Sequence, residues 1–227
     1  MSVAEIEIVD LSVAFAEGMP KFPASWFPAF SVGEVQPPAG DRTRRFTSVQ
    51  LFAHNGTHVE SSDHVMADGS TIDTLPLGRF GGFPTIVDIR GVEDGSEVPL
   101  ELVRERLDAS RPAPGAVVLL MTGYNDRRWG SLDFWERSPW LSLEAAEYLA
   151  SAEPALVGLD FQTERPRDGQ FAVHRALVDR GAVLCEYLFN LDRVDEDTLF
   201  LALPIKIAGV EAAPVRAVGI KVPRRRP

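Results

Sequence analysis

Cysteine is almost missing from this chain. Cys185 is the only one among 227 residues, which excludes an intrachain disulfide, a zinc ribbon and a Cys-x-x-Cys redox pair, and a reducing cytoplasm is the expected location. Long apolar runs are missing as well. No stretch reaches the roughly 18 apolar residues of a membrane span, and the first ten residues carry acids where an export signal has a basic stretch followed by an apolar one. No membrane association and no targeting signal are therefore expected. Positive charge is scarce too: 23 lysines and arginines face 33 acids, a formal net charge of −10. Binding to a nucleic-acid backbone rests on cationic side chains that neutralise phosphates, so no nucleic-acid partner is expected. The one basic cluster, Arg224, Arg225 and Arg226, reads as a solvated terminus. A Gly-x-Ser-x-Gly nucleophile elbow is absent, as are Gly-x-Gly-x-x-Gly and Walker phosphate loops, so serine hydrolysis and nucleotide cofactors have no support. Cys185 itself lies in an apolar run and reads as packing, not as a nucleophile.

What is present fits one compact domain over residues 1–222, followed by a short basic tail over residues 223–227. Short apolar runs rich in branched residues predict strands over residues 5–11, 45–52, 85–89, 116–122, 155–159, 182–189 and 199–207. Helices are predicted over residues 100–107, 142–151 and 171–180, with Ser142 as the N-cap of the second. Prolines and aromatics punctuate residues 18–38, which read as a structured loop. Strands outnumber helices, so the expected class is α/β with a sizeable mixed sheet.

The histidines concentrate the chemistry. The chain has four, and His54, His58 and His64 fall in one short segment that also holds Glu60 and Asp63. Imidazoles with a carboxylate at this spacing form a nitrogen and oxygen ligand set suited to zinc or manganese. A helix presenting His54 and His58 on one face is rejected, because Asn55-Gly56 signals a turn and Thr57 and Val59 are β-branched. Strand, tight turn, strand is the expected arrangement, with His58 and Glu60 on one face because side chains alternate. Asp63 reads as a turn-capping residue. Glu186 sits inside the apolar run of residues 182–189, and a buried carboxylate needs a partner, either a metal or a cation such as Lys206 or an arginine. His174 can face the same cavity. Arg127 and Arg128 beside Trp129 can line a pocket for an acidic substrate, but read more simply as a solvated loop.

These residues resemble the cyclase-type metal hydrolases, the family of bacterial kynurenine formamidase and isatin hydrolase. Its His-x-Gly-Thr-His-x-Asp-x-x-x-His motif is matched by His54, Gly56, Thr57, His58 and His64, with Glu60 in place of the aspartate. Further blocks follow in family order: residues 72–77, Thr122-Gly123-Tyr124, His174-Arg175-Ala176-Leu177, residues 186–191 and Leu203-Pro204-Ile205-Lys206. The resemblance implies a compact α/β domain with a barrel-like sheet, commonly a homodimer. It implies His54, His58 and Glu60 as ligands of a first divalent metal, and Glu60, His174 and Glu186 as ligands of a second. His64 is implied as general acid/base, with an early-loop aromatic, Phe22 or Trp26, contacting a small-molecule substrate. The extra methylene of Glu60 bears on whether one or two ions bind per chain, and the expectation is one held tightly, with Glu186 and His174 holding a second only weakly.

The activity expected is hydrolysis of an amide, aryl formamide or cyclic amide by metal-activated water. Two alternatives stand beside it. The site can instead serve a metal-dependent cyclase or lyase, or the chain can be a metal-free binding homologue that kept the fold alone.

Overall fold

The computed structural model describes residues 6–37, 44–110, 112–165 and 170–221; the basic tail lies outside them. A six-stranded sheet runs in the order Ala212–Pro214, His58–Glu60, Val183–Glu186, Leu156–Leu159, Val117–Met121, Pro84–Asp88. The last four strands are mutually parallel, and the first two are added antiparallel at one edge. A four-stranded antiparallel sheet packs behind it in the order Glu7–Asp10, Val218–Lys221, Thr198–Leu201, Gly81–Gly82. The chain passes directly between the sheets at both margins, from Gly81–Gly82 into Pro84–Asp88 and from Ala212–Pro214 towards Val218–Lys221. This gives the mixed assembly its barrel-like character.

The three predicted helices form as Leu100–Ser110, Leu143–Ser151 and Ala172–Val178. Ser142 caps the second, its hydroxyl accepting from the Ala145 amide at 3.1 Å and satisfying one of the helix's orphan donors. These helices cover one face of the large sheet. Alternation then sorts the apolar residues into two cores. Val118, Leu120, Val157, Leu159 and Leu184 meet the helices, while Val117, Leu119, Leu156, Val183 and Cys185 meet Phe200 and Val9 of the second sheet and Phe80 just before it. Cys185 is fully buried, and burial pushes its thiol pKa up, so packing is its role. Among the described residues, no helix is long and apolar enough to cross a membrane.

Two expectations change. The early loop contains a strand, Ser31–Val35, which pairs with Phe46–Gln50 as a separate hairpin. Its cross-strand neighbours, Val32 with Val49 and Val35 with Phe46, are all exposed, so the alternation read over residues 45–52 does not mark a buried face. Arg127 and Arg128 belong to a short helix, Tyr124–Arg128, and are held by Asp94 and Asp133 at 3.2 and 2.7 Å. They are absent from the walls of the cavity described next.

Candidate metal centre and cavity

The site stands at the carboxyl ends of the parallel strands, where α/β sheets place their ligand crevices. His58 and Glu60 share a face of their strand, and the antiparallel register sets His58 directly opposite Glu186. Strand geometry alone thus brings three ligand-type side chains together. The sharp segment before them depends on Gly56 and Thr57. Gly56 has φ +56°, and a Cβ there would lie 3.0 Å from the side chains of Val13 and Phe15. The buried Thr57 hydroxyl donates to the Tyr187 carbonyl at 2.7 Å and accepts from the Val13 amide at 3.0 Å. These bonds tie the turn bearing His54 to the strand bearing Glu186.

His64 follows on the single turn Ser62–His64. Among the described residues, two groups are able to hold an ion, His54 with Glu60 and His64, and His58 with Glu60 and Glu186, and the neighbouring Asp63 is in neither. His174 comes from the Ala172–Val178 helix. Before it stands Phe171, a non-glycine residue at φ +50°, a conformation that costs on the order of 1–3 kcal/mol and gathers at functional sites. Its ring lies 5.5 Å from both His64 and His174.

Glu60 is the hub. Its Oε1 lies 2.6 Å from His54 Nδ1 and 3.0 Å from His58 Nε2. Its Oε2 faces the other side, 3.5 Å from His174 Nε2 and 4.0 Å from His64 Nε2. Glu186 completes the ring, 3.6 Å from both His58 and His174, and accepts the Thr163 hydroxyl at 2.5 Å. Neither Lys206 nor any arginine pairs with it among the described residues; histidine and threonine take that place.

Two acids that the sequence did not single out stand behind the histidines. Glu211 lies 3.0 Å from His54 Nε2. Glu164 lies 2.8 Å from His174 Nδ1, and its other oxygen accepts the Val173 amide at 2.6 Å. His58 Nδ1 bonds the Gly56 carbonyl at 2.9 Å. Three of the four imidazoles therefore have their outward nitrogen held by an acceptor while the inward nitrogen faces Glu60, the arrangement that orients metal-bound histidines. Asp160, also unanticipated, is fully buried and binds the amides of Thr122 and Gly123 at 2.8 and 2.6 Å. It fixes the loop beside the site, and burial raises its pKa to about 6 against those bonds.

Burial disfavours charge on His54, yet the carboxylates of Glu60 and Glu211 outweigh it and raise its pKa to about 10. His174 follows the same logic through Glu164, Glu186 and Glu60, also reaching about 10. Burial alone would raise Glu60, but the surrounding imidazoles hold it well below the usual carboxylate range. His64 moves the other way: burial and the charges on His54 and His174 lower it. One atom is left over. Glu60 Oε2 is buried without a hydrogen-bond partner, a costly state for a carboxylate oxygen. An orphaned carboxylate oxygen ringed by imidazole nitrogens and a second carboxylate fits a divalent cation, and the donors suit zinc or manganese.

Above this centre opens a cavity of about 450 Å³. Phe22, Trp26, Phe27, Phe52, Trp135 and Tyr187 supply its aromatic wall, with His54, His58, Glu60, His64, His174 and Glu186 at its base. The sequence profile of the cyclase family matches residues 9–163. The chain belongs to the cyclase family. Among its relatives in that family, kynurenine formamidase of Salinibacter ruber is 32% identical over 173 residues, 75% of this chain and 77% of that protein. Kynurenine formamidase of Paracidovorax citrulli is 34% identical over 175 residues, covering 76% and 78%. In fold, this cyclase-family chain is similar to isatin hydrolase A from Labrenzia aggregata bound to benzyl benzoate, with a TM-score of 0.83 at 21% identity over 95% of this chain and 93% of that one. It is also similar to a structure described as a potential metal-dependent hydrolase with cyclase activity, with a TM-score of 0.75 at 22% identity over 98% and 100%.

Proposed function

We propose that this cyclase-family protein is a metal-dependent hydrolase that cleaves a non-peptide C–N bond in a small molecule, an aryl formamide or a cyclic amide. The observation that carries this reading is the orphaned Glu60 Oε2 at the centre of the histidines, beneath a cavity with an aromatic wall. Relatives named kynurenine formamidase support the bond type.

His54, His58 and Glu60 would hold one zinc or manganese ion, and Glu60, His174 and Glu186 a second. Glu60 presents one oxygen to each set, so the longer side chain still reaches both, which favours two ions where the extra methylene alone argues for one. When bound, such ions supply Lewis acidity that polarises a carbonyl oxygen and acidifies water. The chain's own groups do the rest. Phe22 and Trp26 help form the wall against which an aromatic ring packs, displacing water from the reacting carbonyl. His64 has its pKa lowered by burial and neighbouring charge, so its imidazole is neutral at pH 7, free to take a proton from water and pass it to the leaving nitrogen.

Protein purified without chelator, incubated with N-formyl aromatic amines, isatin and small lactams, should take up water and release formate or the ring-opened acid. Products that are cyclised or dehydrated would favour the cyclase reading, and no product with metal in place would refute hydrolysis of this substrate class.

The exposed hairpin supports a homodimer. A two-stranded hairpin is marginal alone, and a second copy would cover Val32 and Val49, a cross-strand pair exposed on one face. Sedimentation should give a dimer that Val49→Lys dissociates; a monomeric wild type would contradict it. The buried, unpaired Cys185 is consistent with residence in the cytoplasm.

A further inference from the structure

A second cavity, of about 620 Å³, adjoins the first and shares Phe22, Trp135 and Arg165 with it. The charged groups of the two are unlike. The first cavity carries the carboxylates of Glu60, Glu164, Glu186 and Glu211, with Arg165, among the described residues, as its only cationic side chain besides the histidines. The second is lined by Arg137 and Arg165 with Glu136. Arg127 and Arg128 are spent on Asp94 and Asp133, whereas no described carboxylate lies within salt-bridge distance of the Arg165 guanidinium. It lies instead over the Trp140 ring, 4.8 Å from its centroid, and Trp140 is held in turn by its indole N–H donating to Glu97 at 3.3 Å.

We propose that the second cavity is a subsite for a carboxylate carried on the aromatic substrate, received by Arg165. This rests on the reading of the first cavity as the site of an aryl amide. A chain of net charge −10 repels an acidic ligand at long range, so such a ligand needs a local cation that no acid of the protein neutralises. Stacking on Trp140 restrains the guanidinium without consuming its hydrogen bonds, which leaves its planar fork open to a bidentate carboxylate. Phe22 and Trp135, edge to face at 5.6 Å, stand where the two cavities meet. A ring packed there would lie in the cavity that holds Glu60 and His64, with Arg165 shared between that cavity and the second. The substrate class is thereby narrowed to aryl amides with an anionic side chain.

Equilibrium binding of 3-phenylpropionate and of its neutral amide, 3-phenylpropionamide, to the protein as purified tests the subsite. Wild type should bind the acid at least tenfold more tightly than the amide. Arg165→Gln should weaken the acid about tenfold and leave the amide unchanged, with Arg165→Lys between, because it keeps charge but loses the fork. Both proteins carry the same histidine and glutamate centre, so any attraction of the acid to a cation there cancels between them. Equal binding of acid and amide by wild type, or an acid affinity unchanged in Arg165→Gln, would overturn the proposal. Turnover does not enter the readout, so a failure to hydrolyse aryl formamides is a separate result.

Discussion

Glu60 and the imidazoles around it hold one another in charged states that a cation would replace. With His54 and His174 both raised to about 10, the metal-free centre keeps two protons at neutral pH that ligation must expel. Metal binding at pH 7 should release about two protons and tighten as pH rises towards 10. Calorimetry in buffers of different ionisation enthalpy measures this, and uptake without proton release would contradict it. The sign for stability is the reverse. A folded pKa raised from 6.5 to about 10 stabilises the metal-free fold fully below pH 6.5, and that contribution is lost as pH rises through 10. Behind the ligands, Glu211→Gln and Glu164→Gln should each weaken metal affinity roughly 10–100-fold, read by competition with a chromophoric chelator; unchanged affinity in both would remove their orienting role. His64→Ala should keep its metal and lose on the order of 10²–10⁴ in turnover. A loss that tracks metal content would make His64 a ligand instead.

Among the elements, the turn after Glu60 is the most constrained. Gly69 packs so closely over it that a Cβ would lie 2.2 Å from the Asp63 amide nitrogen and 2.4 Å from the Ser62 carbonyl carbon. Backbone cannot yield as a flexible side chain does, so Gly69→Ala should cost about 1–3 kcal/mol or more and displace His64. A lowered thermal midpoint together with lowered turnover checks this; a variant stable and active as wild type would show that the turn has slack. The same segment marks what could be read in advance. His58 and Glu60 were legible because alternation needs only local sequence, and Glu186 because a carboxylate in an apolar run demands a partner. Glu211 and Glu164 were not. Glu211 reaches His54 across 157 positions of chain, because the Ala212–Pro214 strand pairs with His58–Glu60, and strand pairing is written in no local pattern. Glu164 faces His174 from ten residues away, and the sequence between them carries no regular period.

At the scale of the whole molecule, the parallel strands of the central sheet and its three covering helices were visible as apolar segments, though the edge strand Ala212–Pro214 was not, and the α/β class follows from strands outnumbering helices. Packing of the second sheet, and the crossing of strands between sheets, required tertiary contacts that patterning does not encode. In the separate hairpin, the strand read over residues 45–52 forms as Phe46–Gln50, whereas its partner Ser31–Val35 lies in a stretch whose prolines and aromatics read as a loop. What unites the molecule is one side of the sheet, with the turns and the helix beside it, that sets four imidazoles around one glutamate beneath an aromatic cavity. This centre should cleave a C–N bond only with a divalent ion in place. The direct measurement is formate release from an N-formyl aromatic amine by protein as purified, after exhaustive chelation, and after reloading with zinc or manganese. The account predicts turnover that is lost with the metal and restored by it, and that neither ion restores in His58→Ala. Undiminished turnover by protein shown to be free of metal would contradict it.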